Sequence, residues 1–299
     1  MRQWLIFAFV GLLAQLVDGS LGMAYGVTST TLLLASGIAP AVASASVHTA
    51  EVITNAISGA SHWRFGNVNK RVVLTMALPG AAGAVGGSLL VTHLPATFAA
   101  PAIAGFLFLL GLYLFFRFLF NRAQPQVSKL PPRRRFLMPL ALFAGFADAS
   151  GGGGWGPIAT PALLAQQGLE PRKVVGSVDT SEGAVSLAAT ISFWIFLGWS
   201  QIDWRWVLAL LVGGVIAAPL AAWLVKKVPS HLLGIGVAGI VLLTNERTLL
   251  HLFPRLSLPW EVVCYALVGI GWLAALLWVA LRHRRTLSRQ KQGSSSPVA

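Results

Sequence analysis

Two stretches of this chain repeat one another, and that repeat limits the available folds more than any other feature. From Asp18 the chain reads DGSLGMAYGVTSTTLLLASGIAPAVASASVHTAEVITNAISGASHW, and from Asp148 it reads DASGGGGWGPIATPALLAQQGLEPRKVVGSVDTSEGAVSLAATISFW. With one single-residue gap they agree at Asp18/Asp148, Ser20/Ser150, Gly22/Gly152, Gly26/Gly156 and Thr30/Thr160. Agreement continues at Pro40/Pro171, Ser46/Ser177, Thr49/Thr180, Glu51/Glu182 and Trp63/Trp194, and weakly to Pro95/Pro229. A duplicated unit of this size in an apolar chain is a common construction in transporters.

The chain is apolar enough for the membrane. Hydrophobic residues make up 56% of its 299 positions and mean hydropathy is +0.72. Charged residues are only 10%, against about 25% in soluble domains. A soluble globular enzyme and a disordered chain are both excluded. Each unit opens with two apolar arms around a glycine-rich break: 4–17 and 23–36 around Gly19–Gly22, then 136–149 and 155–167 around Gly151–Gly154. An arm of about 14 residues is about 21 Å long as a helix, short of the roughly 30 Å hydrocarbon core. The arms therefore read as re-entrant hairpins, with irregular backbone sheltered inside protein. Segments 41–63, 71–92 and 96–118 follow in the first unit and 172–198, 205–225 and 230–250 in the second, with 259–281 last. The expected fold is an all-α polytopic membrane protein of two inverted repeats. Each repeat is a re-entrant helical hairpin plus three transmembrane helices, and one extra transmembrane helix closes the chain, giving seven spans and two hairpins. The corresponding division is 1–120, a basic loop 121–135, 136–252, a final helix 258–282, and a basic, disordered tail 283–299.

Charge sets the sidedness. The net charge is +13, and six of the 22 basic residues fall between Arg117 and Arg135 and five between Arg282 and Lys291. Basic clusters at helix ends orient membrane proteins and meet anionic lipid headgroups; no nucleic-acid-binding fold accompanies them. Loop 117–135, Arg64 with Lys70 and Arg71, Arg172 with Lys173, Lys226 with Lys227, and the C-terminus all fall on the cytoplasmic side, and the N-terminus outside. Arg247 and Arg255 fit least well, offset in part by Glu246 and Glu261. Two full spans in place of each hairpin preserve the same sidedness. Three crossings per unit invert the second repeat relative to the first, so that the two hairpin tips meet near the midplane.

Polar residues at that depth are functional candidates. Ser20, Gly22, Ser150 and Gly151, Gly152, Gly153 and Gly154 precede helix starts, whose backbone N–H groups and dipoles suit a small anion; a tight packing turn is the plain alternative. Asp18 and Asp148 read first as caps for free N–H groups. Glu51 and Glu182, placed one turn into the long helices, are proton carriers or gates, or else protonated groups bonding between helices. His48 and Asp179 are equivalent positions of different chemistry. Thr49 and Thr180 offer hydroxyls to an anion or to their own helix. Trp63 and Trp194 read as interfacial anchors beside His62, and Gly83 with Gly87 as close helix packing. Cys264 is the single cysteine, which excludes an intrachain disulfide. No Walker motif, catalytic constellation, metal-ligand set or cofactor motif is visible, so an enzyme is not expected.

These residues resemble the sulfite exporter TauE/SafE family, also called TSUP and formerly DUF81. The signature is GSLGMAYGVTSTTLLL with SASVHTAEV, repeated as GGGGWGPIATPALL with GSVDTSEGAV. The resemblance spans about residues 5–281; the doubled motif is specific for the family and not for the substrate. It implies movement of small anions such as sulfite, a sulfonate or sulfoacetate, coupled to an ion gradient, in a bacterial inner membrane. Leu21, Met23 and Ala24 depart from the family's glycines, so the second hairpin is the better anion half-site. The expectation is a secondary transporter, most simply a sulfite or organosulfonate exporter coupled to protons. An anion channel on the same scaffold and an uptake permease for a small organic anion are the alternatives; a membrane-embedded transferase and a structural partner protein are weaker. Oligomeric state is open, a homodimer being one arrangement.

Overall fold

The computed structural model describes residues 2–120, 132–166, 169–224, 230–250 and 258–293. Among them the regular structure is entirely helical. The first unit comprises α1 (Arg2–Leu21), α2 (Tyr25–Ala35), α3 (Pro40–Arg64), α4 (Lys70–His93) and α5 (Ala96–Phe120). The second comprises α6 (Arg134–Gly151), α7 (Trp155–Ala165), α8 (Pro171–Phe193), α9 (Trp204–Leu224) and α10 (Ser230–Leu250), and α11 (Leu258–Gly293) ends the chain. The order of elements is the same in both units. Prolines at the first position start α3 and α8, where a missing N–H costs nothing. After Phe193 the α8 backbone widens into a π turn, Trp194–Gly198, and then a 3-10 turn, Trp199–Gln201.

Several boundaries differ from the sequence expectation. The first arm does not end at Val17: α1 runs on through Gly19 to Leu21, and the turn falls on Gly22–Ala24. The side of α1 at Gly19 packs against α9, with the Ala221 methyl 2.6 Å from where a Cβ would sit, so the glycine serves close approach and not a break. Gly151 is likewise the last residue of α6, against Phe106, and the second turn is Gly152–Gly154. At 20 residues, α1 is about 30 Å long and long enough to cross a membrane. Six described helical segments meet that test by length and hydropathy, α1 among them. Of the seven expected spans, α3 does not meet that test. Ser44, Ser46, His48, Thr49, Glu51 and Asn55 give it a polar, buried interior face. The tail read as disordered from 283 stays helical to Gly293, where Arg282–Lys291 lies at a helix C-terminus that favours cations. Lys226, Lys227, Arg255 and residues 121–131 lie outside the described residues.

The units are interleaved. The most extensive helix contacts all join one unit to the other: α4 with α6, α1 with α9, α3 with α8 and α9, α8 with α4, and α5 with α10. Each contact has its repeat-equivalent, which is the signature of a two-fold relation between the units. Small residues permit the approach, as the sequence indicated for Gly83 and Gly87. A Cβ on Gly83 or Gly87 would run into the α6 backbone at Leu142 or Phe146, and one on Gly213 into α1 at Ala8. Large apolar side chains such as Leu74, Leu78, Phe98, Phe143, Ile195 and Leu267 face outward, as a lipid-facing surface requires.

Candidate functional site

The two hairpin turns touch. Gly26 sits with Gly153 Cα 2.9 Å from its would-be Cβ, and Gly156 lies equally tight against Gly22 and Met23. Thr30 Oγ1 donates to the Gly152 carbonyl at 2.5 Å, and Thr160 Oγ1 donates to the Gly22 carbonyl at 2.6 Å. These bonds are repeat-equivalent and reciprocal, each hairpin bonding the turn of the other.

The free N–H groups at each tip are taken by the preceding aspartate. Asp148 Oδ1 accepts from Gly154 N at 2.7 Å and Trp155 N at 3.0 Å, while its carbonyl accepts from Gly152 and Gly153. Asp18 Oδ1 accepts from Tyr25 N at 3.3 Å. The capping reading of both aspartates therefore describes this conformation. Gly151, inside α6, offers no tip donor. Beyond the tips, Tyr25 Oη reaches the Leu210 carbonyl at 3.2 Å and Trp155 Nε1 the Val178 carbonyl at 3.0 Å, pinning each short helix to the other elements.

The long helices bring their polar residues to the same level. α3 starts at Pro40 and α8 at Pro171, so Glu51 and Glu182 lie about three turns in, in mid-helix and not one turn from the start. There two clusters form, each with side-chain atoms within 4.8 Å of one another: His48, Glu51 and Asp148, and Asp18, Asp179 and Glu182. All six residues are buried. Every member has its repeat-equivalent at the same place in the other cluster, with His48 standing opposite Asp179. Each cluster takes its hairpin aspartate from one unit and its other two members from the other unit. In the first, His48 Nε2 lies 3.1 Å from Asp148 Oδ2, its Nδ1 lies 2.8 Å from the Ser44 carbonyl, and Ser44 Oγ donates to the Ala149 carbonyl at 2.8 Å. Such sets can hold protons or a small cation between them.

Other expected site residues are placed differently. Thr49 Oγ1 donates to Ala45 O at 2.6 Å, Thr180 Oγ1 to Gly176 O at 2.5 Å and Ser150 Oγ to Phe146 O at 2.7 Å, so each bonds its own helix. Ser20 Oγ is buried with no hydrogen-bond partner among the described residues. Thr180 also lines a groove of about 510 Å³ between α3 and α8, with Asn55, Gly59, Trp63, Gly183 and Leu187. From this groove Asn55 Nδ2 donates to Ser186 Oγ at 3.2 Å, and Ser186 Oγ to Glu51 Oε2 at 3.3 Å. Asn55 and Ser186 are repeat-equivalents absent from the sequence-based candidates. Trp63 is exposed, with Lys70 Nζ 4.9 Å from its ring, whereas His62 is fully buried.

A bundle of apolar helices around buried acid clusters is the build of a multi-pass membrane transporter, and the comparisons agree. The profile of the family described as Sulfite exporter TauE/SafE matches residues 7–246. The chain belongs to that family. It is 53% identical over 281 residues, 93% of each chain, to the protein named Probable membrane transporter protein YtnM of Bacillus subtilis (strain 168). No solved structure is significantly similar.

Proposed function

We propose that the protein is a secondary transporter that exports a small oxyanion, sulfite or an organosulfonate, across the bacterial inner membrane, coupled to an ion gradient. The observation that carries this reading is the family match over residues 7–246. The interior supports it: the polar groups lie where the two glycine-rich helix breaks meet, and broken helices commonly form a transporter's site.

The substrate path in this reading follows the α3–α8 groove, where Asn55 and Thr180 supply polar atoms, to the hairpin tips. There the candidate donors are Ser20 and the N–H groups of Gly152, Gly153 and Gly154; the hydroxyls of Ser150, Thr49 and Thr180 join them only by leaving their own helices. Because Asp148 already holds the Gly154 N–H, an arriving anion must exchange places with that carboxylate. The interleaving also limits which parts can move. One whole repeat cannot rock against the other without opening the α4–α6 and α1–α9 contacts. The units that move are mixed bundles, α1 with α3 and α9 against α6 with α4 and α8, hinged at α3–α8. Orientation follows the basic residues, with loop 117–135 cytoplasmic.

Purified protein in liposomes tests the reading. Sulfite flux, measured with and without an imposed pH gradient against sulfate and a sulfonate, is expected to depend on the gradient and to favour sulfite or the sulfonate. Gradient-insensitive conductance would establish a channel instead, and no flux of any of the three would remove the substrate class.

A further inference from the structure

The two acid clusters are equivalent by repeat and by position, and they differ in where the imidazole sits. In the first, His48 contacts Asp148 directly and is held at both ring nitrogens. A buried carboxylate needs an adjacent positive charge or a proton, and His48 supplies the former within the fold. In the second cluster the same position is Asp179. Three carboxyl groups then share one pocket. Among the described residues no Lys or Arg is buried, so no fixed cation offsets them. Asp18 Oδ2 and both carboxyl oxygens of Asp179 are buried with no hydrogen-bond partner among the described residues. Carboxylates crowded together with only the Tyr25 N–H and the Ser58 hydroxyl as nearby donors, and no fixed cation, cannot all stay ionised. At least one of the three must hold a proton.

An imidazole does face this cluster, from a different place. His62 Nε2 lies 3.9 Å from Asp179 Oδ2, buried and without a hydrogen-bond partner among the described residues. Its repeat-equivalent is Phe193, whose ring sits 6.1 Å from that of His48. The first cluster thus has a bonded histidine backed by a phenyl ring; the second has an acid backed by a histidine just out of bonding reach. On its other side His62 Nδ1 meets Asn67 Nδ2 at 3.2 Å, in the turn between α3 and α4. With its oxygen turned to His62 instead, the Asn67 amide accepts from a protonated Nδ1, so the same contact fits the ring with or without a proton there.

We propose that Asp18, Asp179 and Glu182 form the exchangeable proton site of this transporter, loaded through His62, and that His48, Glu51 and Asp148 form its locked counterpart. The proposal rests on the transport reading above for its role, and on geometry for its location. In the loading step a neutral imidazole carrying its proton on Nε2 takes a proton from water at Nδ1, passes the Nε2 proton to Asp179 Oδ2, and ends neutral with its proton on Nδ1. The other ionisable groups facing the site are Tyr25 on α2, Glu51 on α3 and Asp148 on α6, the last two bonded to or beside His48. α9 brings none between Trp206 and Leu224, and α10 brings Glu246, beside the Asn245–Thr31 bond. Asp18 also caps Tyr25, so the proton state of the site reaches the hairpin tip through one bond.

The test uses the full-length protein in liposomes, with infrared difference spectra of protonated carboxyl groups after a pH jump. The wild type is expected to show a titrating carboxyl band that is lost in Asp18→Asn and Asp179→Asn and retained in Glu51→Gln. Asp179→His, which copies the locked arrangement, should lose pH-gradient-driven flux and keep exchange of anion down its own gradient. His62→Phe should keep the band but slow its appearance by at least about tenfold. A band that survives Asp18→Asn, Asp179→Asn and Glu182→Gln overturns the site even if sulfite flux follows the pH gradient. A band lost as expected, in a protein that moves no sulfite, keeps the site and rejects only the substrate. Flux that a sodium gradient drives as well in Asp179→His as in wild type also overturns it.

Discussion

The two hairpins descend from one sequence and now differ in a consistent direction. The second turn is all glycine, with Gly152 and Gly153 at positive φ and two N–H groups held on Asp148 at 2.7 and 3.0 Å. The first turn has Met23 and Ala24 in the places of glycines, Ala24 at φ 135°, and a single N–H, that of Tyr25 at 3.3 Å, on the Asp18 carboxylate. The tightly capped aspartate is the one bonded to a histidine; the loosely capped one sits among acids. Duplication supplies two copies of a site, and divergence at a few positions makes one a fixture and leaves the other able to change state.

The sharpest way to break this comparison is at the turn. Gly153→Val would drive a side chain into the backbone of Gly26 and Val27 from a conformation only glycine favours. We expect a loss of about 3 kcal/mol or more, seen as loss of the folded peak on size exclusion in detergent. Met23→Gly, its equivalent, should leave that peak in place. Next comes the locked pair. His48→Ala strands the buried Asp148 and should cost about 3–5 kcal/mol, whereas Asp179→Ala removes one of three crowded acids and should raise the thermal midpoint or leave it unchanged. Equal losses would show that the clusters are not different in kind. The tip bonds give a smaller effect. Thr30→Val and Thr160→Val each leave a buried glycine carbonyl unpaired, at about 1–3 kcal/mol. The two losses should match, and unequal ones would deny the two-fold relation. Smallest is Ala24→Gly, which relieves the unfavourable φ and should stabilise by about 1 kcal/mol, read from the same thermal scans.

The repeat made the helix order legible because equivalent apolar segments and breaks announce equivalent helices. Boundaries were less legible where glycine has two uses. Gly19 and Gly151 looked like breaks and serve packing inside α1 and α6, against Ala221 and Phe106. The capping role of Asp18 and Asp148 could be read locally, since an acid before a helix start suggests it. The pairing of His48 with Asp148 could not, because its members lie 100 positions apart and meet only through the interleaving of the units. The opposition of His62 to Phe193 was written in the alignment, yet nothing in the alignment says that His62 faces Asp179. Thr49 and Thr180 show the same limit: a hydroxyl in a helix is equally ready to bond its own backbone, and here each does.

Interleaving also bears on how the chain is made. The α1 partner, α9, leaves the ribosome on the order of 200 residues later, roughly 10–40 s at ordinary synthesis rates. Over that interval the Gly11 side of α1 has no partner helix to close on, while the glycine row of α4 waits a shorter time, until α6 is made. The first unit therefore waits in the membrane as an unfinished half, and assembly is decided late, when α6 and α9 arrive. A chain stopped after α5 should be recognised by the cell as unassembled, however complete its own sequence repeat looks.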